Sequence, residues 1–97
     1  MAERKSVAEV KASRPWTPAM QAAYEQAGAA YELGERVRAL REEAGLSQRE
    51  LASRMGTTQS AIARLEAGGA EPTLPTLRRL AAGLGRTLVI DFKHEVA

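Results

Sequence analysis

The sequence predicts an all-α protein, a small helical bundle preceded by a helical extension and followed by one β-strand. Apolar residues recur at spacings of three and four through most of the chain, and Ser, Thr and Gly stand where helices would begin and end. Only the last segment changes to an alternating pattern. The 97 residues suffice for about one small domain. Because only 4% are aromatic, the core must be mainly aliphatic, which favours packed helices over a β-sandwich.

Residues 1–14 mix charged and small residues without a clear period, so we expect a mobile tail. This segment lacks the apolar run of a signal peptide, and no stretch approaches the roughly 18 apolar residues of a membrane span. The absence of cysteine excludes disulfides and thiolate metal sites. These features predict a soluble, cytoplasmic protein without a membrane partner. The formal net charge is only +2, so overall charge is a weak argument for a polyanionic partner.

Residues 15–32 are predicted to form the helical extension. Thr17 is the expected N-cap, because Pro18 suits the first helical turn. One apolar and aromatic stripe follows, formed by Met20, Tyr24, Ala27 and Tyr31. A second stripe is formed by Leu33, Val37, Leu40 and Ala44. On one helix axis the two stripes are offset by about 140°. The chain therefore either bends near Gly28 or Gly34, or continues as one long helix that serves two surfaces.

Residues 33–85 are predicted to form the bundle itself. Ser47 and Glu50 make a capping box for a helix over about 47–55, which should bury Leu51, Ala52 and Met55. The predicted starts of the later helices are Thr58 and Thr73, and the predicted stops are Gly45, Gly56, Gly68, Gly69 and either Gly83 or Gly85.

Residues 86–97 are predicted to contain the strand. Leu88, Ile90 and Phe92 would point one way, and Thr87, Val89 and Asp91 the other. A single strand cannot satisfy its backbone N–H and C=O groups within one helical chain. We therefore expect an antiparallel ribbon across the two-fold axis of a homodimer, with the seam formed by Leu88, Val89, Ile90 and Phe92.

The middle of the chain outlines a helix-turn-helix, in which a short helix ends in Gly and a three-residue turn leads to a second short helix. The residues LSQRELASRMGTTQSAIARLEAG make this outline specific. They combine L-S-Q-x-E-L-A, M-G at the turn, and T-x-x-x-I-x-x-L-E-x-G. With this combination the chain closely resembles the Cro and phage-repressor (XRE) type helix-turn-helix domain over residues 33–85.

This resemblance implies which residues would contact double-stranded operator DNA. The base-contacting positions would be Gln59, Ser60, Ala63 and Arg64, and the phosphate-contacting positions Arg38, Gln48, Thr57 and Thr58. It also implies a structural ion pair of Arg41 and Glu66, and a Gln48 that can brace the recognition helix. Physical chemistry agrees, since Gln pairs with adenine and Arg with guanine, each worth ~1–3 kcal/mol of discrimination. So few reading groups predict a dimer on a palindromic site.

Over its whole length the chain is similar to the HigA type of antitoxin, whose partners are HigB or RelE-like mRNA-cleaving toxins. Three segments carry this resemblance: PWTPAMQAAYEQAGAAYELGERVRALREEAG, SAIARLEAGGAEPTLPTLRRLAAGLG and RTLVIDF. It implies that the extension binds a toxin through Trp16, Met20, Tyr24 and Tyr31. The alternative is that Tyr24 and Tyr31 pack back on the bundle.

Three hypotheses for the function follow. The first is an antitoxin that neutralises its toxin and, as a dimer, represses its own operon. The second is a free-standing XRE-type repressor without a toxin, and the third is a bridging factor that kept the fold and lost DNA contact.

The sequence contains no pattern that is typical of a catalytic site, a cofactor site or a site for a small-molecule substrate. His94 has no second ligand at a metal-binding spacing, and the sequence contains neither a histidine paired with a nucleophile nor a Gly-rich phosphate loop. We therefore expect no enzymatic activity, no cofactor and no metal. The charged residues outside the motif are readily explained as solvated helix faces, among them Arg36, Arg78, Arg79, Glu42 and Glu43.

Overall fold

A computed structural model describes residues 16–95 and contains four helices. The expected mobile tail of residues 1–14 lies outside the described residues. The helices are α1 (Pro18–Glu43), α2 (Gln48–Met55), α3 (Gln59–Glu66) and α4 (Leu74–Gly83). The all-α prediction is thereby confirmed for the described part of the chain.

Helix α1 is one continuous helix of 26 residues, so the chain does not end its helix at Gly28 or Gly34. Thr17 caps it as expected, with its hydroxyl accepting a hydrogen bond from the Met20 N–H at 3.1 Å. The extension predicted as residues 15–32 and the beginning of the bundle therefore share one helix. Of the two alternatives for the offset stripes, the structure has the long helix that presents two surfaces.

The predicted caps define the ends of the short helices. At α2 the Ser47 hydroxyl accepts from the Glu50 N–H at 3.0 Å, and the Glu50 carboxylate accepts from the Ser47 N–H at 3.1 Å. Gly56 ends α2 with φ of 68°, a left-handed conformation that other residues adopt at a cost. Thr58 then caps α3 through the Ala61 N–H at 3.1 Å. These local bonds fix a three-residue turn between α2 and α3.

The core lies between the four helices and is aliphatic apart from one methionine. Leu51, Ile62 and Val37 are the most deeply buried, with exposures of 0%, 1% and 2%. The other core residues are Leu46, Ala52, Met55, Leu65, Leu80 and Leu84. Ala44 is exposed, so its inclusion in the apolar stripe of α1 was wrong, because α1 ends at Glu43, just before it.

Helix α1 crosses the C-terminal end of α3 at Gly34, where the two backbones come very close. A Cβ at this position would lie 2.5 Å from the Leu65 carbonyl oxygen and 2.6 Å from the Glu66 carbonyl oxygen. Only the absence of a side chain permits this approach. Gly34 therefore sets the position of α3 against α1.

The C-terminal segment differs from the prediction. Residues 86–95 belong to neither a helix nor a strand in the single chain, so the predicted strand is not formed there. The physical reason is that a lone strand has no neighbouring strand to hydrogen-bond with its backbone N–H and C=O groups. The segment begins in a fixed place, because Arg86 pairs with Glu43 at 3.1 Å and its N–H bonds to the Ala81 carbonyl at 2.8 Å.

Candidate nucleic-acid interface

The face of α3 that points away from the core carries most of the predicted base-contacting residues. Ile62 and Leu65 are buried and dock the helix on the bundle. Gln59, Ser60 and Arg64 are exposed, and Ala63 is half-buried. The structure therefore brings the four residues together on one short helix, with three of them exposed.

Behind this face lies an ion pair between α1 and α3. The Arg41 guanidinium donates to both carboxylate oxygens of Glu66, from Nε at 2.6 Å and from Nη2 at 2.9 Å. Its Nη1 donates to the Leu46 carbonyl at 2.8 Å, which holds the loop before α2. The pair is shielded from water, since only 11% of the Arg41 side chain and 4% of the Glu66 side chain are exposed. It ties three segments together at the base of the helix-turn-helix.

Glu66 stays ionised in this setting. Burial by itself raises the pKa of Glu66, but the hydrogen bonds from Arg41 and Gln48 outweigh it and hold that pKa below its ordinary value. The same hydrogen bond raises the pKa of Arg41. Within residues 16–95 no buried side-chain nitrogen or oxygen is left without a partner, so the charge of this pair is fully compensated.

From Glu66 a line of hydrogen bonds leads to the exposed end of α3. The Gln48 amide nitrogen donates to Glu66 Oε1 at 3.1 Å, and the Gln48 amide oxygen accepts from Gln59 Nε2 at 2.8 Å. Gln48 is the first residue of α2 and Gln59 the first residue of α3. We refer to Arg41, Glu66, Gln48 and Gln59 as the polar relay. It fixes the side chain of Gln59 before any ligand arrives, which lowers the entropy that binding must offset.

The other predicted contacts are also at the surface. Thr57 and Thr58 are exposed in the turn. Arg38 is exposed on α1 and pairs with Glu42 one turn later at 3.1 Å, an ordinary surface pair of small energetic value. Arg64 Nη2 donates to the Gly69 carbonyl at 3.3 Å. This single bond uses one of five guanidinium donors, so Arg64 is oriented but keeps the capacity for a bidentate contact.

Three of the predicted toxin-binding residues lie on α1, and Trp16 immediately precedes the N-cap of that helix. Met20, Tyr24 and Tyr31 are exposed by 38%, 49% and 55%. Trp16 packs edge-on against Tyr24, with ring centroids 6.3 Å apart, and its indole N–H donates to Gln21. Tyr31 hydrogen-bonds to Glu35, which raises the pKa of that phenol. The alternative in which Tyr24 and Tyr31 are buried against the bundle does not describe the single chain.

Two features of this region were missed in the sequence. Gly34 was considered only as a possible bend, whereas it is a point of contact with α3. Gln26 also bonds to Glu71 at 2.5 Å, which ties the extension to the loop after α3. A stripe of small residues at spacings of four, three and four, formed by Ala23, Ala27, Ala30 and Gly34, could have indicated the contact at Gly34, whereas nothing in the sequence indicates the bond of Gln26.

Other kinds of site are not found in the described part of the chain. No three His, Cys, Asp or Glu residues among residues 16–95 are grouped so that they could hold a metal ion. Over the same residues, no helix has the length and apolar character needed to span a membrane.

The helix-turn-helix part of the chain is similar to known proteins. The profile of the Helix-turn-helix family (HTH_3) matches residues 37–90. An uncharacterized HTH-type transcriptional regulator of Haemophilus influenzae is 46% identical over 50 residues, which cover 52% of this chain and 51% of the relative. A protein of the same description from Methanothermobacter thermautotrophicus is 44% identical over 55 residues, covering 57% of this chain and 80% of the relative. The chain thus aligns with only about half the length of the first relative.

A solved structure is similar as well. The restriction-modification controller protein C.AhdI from Aeromonas hydrophila superposes with a TM-score of 0.61 at 31% sequence identity. The match covers 63% of this chain and 88% of the controller protein.

Proposed function

Because the chain belongs to the Helix-turn-helix family, we propose that it is an XRE-type transcriptional repressor that binds palindromic operator DNA as a homodimer. The observation that carries this proposal is the polar relay, which holds Gln59 at the exposed N-terminus of α3. A helix N-terminus also carries a partial positive charge, which favours the approach of a phosphate.

The roles of the individual residues follow from their positions. Gln59 and Arg64 read base edges, since an amide pairs with adenine and a guanidinium with guanine. Ser60 bonds to a base or a phosphate, and Ala63 contacts a thymine methyl at most. The phosphate-contacting residues are Arg38, Gln48, Thr57 and Thr58.

A dimer is part of this proposal because one α3 offers few reading groups. Two copies with their α3 helices one DNA turn apart, about 34 Å, double the contacts and read a symmetric site. The relatives support a regulatory role, since both carry the description of an HTH-type transcriptional regulator. Such a protein acts in the cytoplasm and needs neither a cofactor nor a catalytic group.

Fluorescence anisotropy tests the proposal with labelled DNA from upstream of the coding region and a duplex of scrambled sequence. We expect binding of the upstream DNA to be tighter by about 1,000-fold. Gln59→Ala and Arg64→Ala should each remove about 10-fold or more of that preference. Arg78→Ala is the matched control for Arg64→Ala, because it deletes the same charge from the exposed surface of α4. Equal affinity for the two duplexes would refute sequence-specific operator binding, and no measurable binding of either would indicate a bridging factor that has lost DNA contact.

A toxin partner is the second candidate, and the observation in its favour is the exposed stripe of Met20, Tyr24 and Tyr31. Helix grooves on partner proteins accept such aromatic and apolar anchors. In this version the chain is a HigA-type antitoxin that neutralises a HigB or RelE-like toxin. The test is co-purification with a RelE-like protein encoded next to its gene. Tyr24→Ala should weaken that complex and leave DNA affinity unchanged, and a chain that binds no such ribonuclease is the free-standing repressor.

A further inference from the structure

An apolar groove lies between α1 and α4, and no residue of α3 lines it. Its volume is about 400 Å³. The apolar residues that line it are Leu33, Val37, Leu40, Leu77, Leu80 and Leu84. Leu88, from the C-terminal segment, covers one part of it and is itself half-buried. Val89 also lines the groove but remains largely exposed, so the rest of the groove is open.

Leu88 is followed by apolar residues that are exposed, namely Val89, Ile90 and Phe92. Val89 is 81% exposed, Ile90 59% and Phe92 95%. In an extended chain Ile90 and Phe92 share the face of Leu88. The segment starts from a fixed point at Arg86, so this apolar face begins at the groove and continues past its end.

We propose that the groove receives Phe92 of a second copy of this chain, in an antiparallel pairing of the two C-terminal segments centred on Ile90. The inference deepens the proposed homodimer, on which it rests, by assigning the register and the occupant of the groove. Centring on Ile90 places each Leu88 opposite the Phe92 of the other copy. Because Leu88 already lies on the groove, the second copy's Phe92 arrives above the open part about 5 Å away.

Neighbouring registers pair the side chains of the two segments less favourably. Centring on Asp91 sets two Asp91 carboxylates directly opposite each other and pairs Leu88 with His94. Centring on Val89 pairs Phe92 with the charged Arg86. If the two-fold axis lies between two residues instead of on one, the apolar residues Leu88, Ile90 and Phe92 stand opposite the other, more polar face of the second segment. Only the register centred on Ile90 matches all three apolar residues of one segment with those of the other.

Single cysteines test the register directly, because the chain contains no cysteine of its own. In the proposed register the two Ile90 Cα atoms are about 4.5–5.5 Å apart, within the range that a disulfide spans. We expect Ile90→Cys to form a disulfide-linked dimer on mild oxidation, seen on a non-reducing gel. Val89→Cys and Asp91→Cys are the matched controls, since their Cα atoms would lie about 8 Å apart, beyond disulfide reach. Stronger cross-linking of either control overturns the register.

A second experiment tests whether Phe92 fills the groove. Sedimentation equilibrium should show that Phe92→Ala weakens the dimer by about 100-fold or more, because two phenyl rings lose their burial. Lys93→Ala, an exposed residue on the other face of the segment, should change the dimer constant by less than about 5-fold. An unchanged dimer constant for Phe92→Ala overturns the proposal. If that happens while the upstream DNA is still bound specifically, the dimer has another seam and the repressor function stands.

Discussion

Replacing Gly34 with alanine adds one methyl group, which has two opposing effects on the stability of the fold. In the middle of a helix, Gly→Ala normally stabilises by about 0.5–1 kcal/mol, because glycine loses more backbone entropy on folding. At Gly34 the new Cβ would lie 2.5 Å and 2.6 Å from two backbone oxygens of α3. Ordinary contact begins near 3.4 Å, so α1 and α3 must separate locally by about 0.9 Å.

The steric effect should win at this position. Overpacking against parts that cannot rotate away costs about 1–3 kcal/mol, and backbone carbonyls have no alternative rotamer. Gly28→Ala is the matched control on the same helix, because nothing lies within 4 Å of its would-be Cβ. We expect Gly28→Ala to gain about 0.5–1 kcal/mol and Gly34→Ala to lose about 1–3 kcal/mol, a difference of about 1.5–4 kcal/mol between the two variants.

Urea denaturation followed by circular dichroism at 222 nm measures both variants against the wild type. Gly34→Ala should also weaken operator binding, since α3 moves away from its place on α1. A Gly34→Ala protein as stable as Gly28→Ala would refute the close approach of the two backbones, and with it the position assigned to α3.

Three further substitutions test the interactions that hold the helix-turn-helix together. Arg41→Ala leaves the buried Glu66 carboxylate without its cation and should lower the unfolding free energy by about 3–5 kcal/mol, measured by urea denaturation. Glu66→Gln should remove a pH dependence: the depressed pKa of Glu66 contributes stability above its unfolded value of about 4.3, and that contribution is lost as pH falls through the folded-state pKa. The wild type and Glu66→Gln should therefore converge in stability in acid, and a constant gap down to pH 2 would contradict this. Ser47→Ala breaks the capping box and should cost about 1 kcal/mol in thermal unfolding, whereas no change would show that α2 does not depend on it.

Local signals in the sequence were sufficient for the helix boundaries. Ser47, Thr58 and Thr73 each cap a helix as predicted, because capping depends on residues three positions apart. The buried face of α2, formed by Leu51, Ala52 and Met55, also follows the predicted period. Contacts between distant segments were harder to predict. The close approach at Gly34 depends on the packing of two helices. The stripe of small residues on α1 indicates a close contact, but it does not identify α3 as the partner.

At the candidate site, too, local features could be predicted from the sequence, whereas contacts between helices could not. The accessible face of α3 follows from the positions of Ile62 and Leu65, which a helical period predicts. The bonds from Gln48 to both Glu66 and Gln59 require the side chains of two helices to meet in space. The C-terminal strand requires a second chain with which to pair. The sequence therefore predicts the need for a partner strand, but a single folded chain does not supply one.

A base-substitution series examines whether the exposed face of α3 reads DNA bases, as proposed. The affinities of the wild type and of Arg64→Ala are measured by anisotropy for all single-base changes in both operator half-sites. We predict that Arg64→Ala loses its preference at one base pair in each half-site, at two symmetric positions, and keeps it elsewhere. An Arg64→Ala protein that binds every duplex more weakly by the same factor, with the base preferences intact, would contradict the claim.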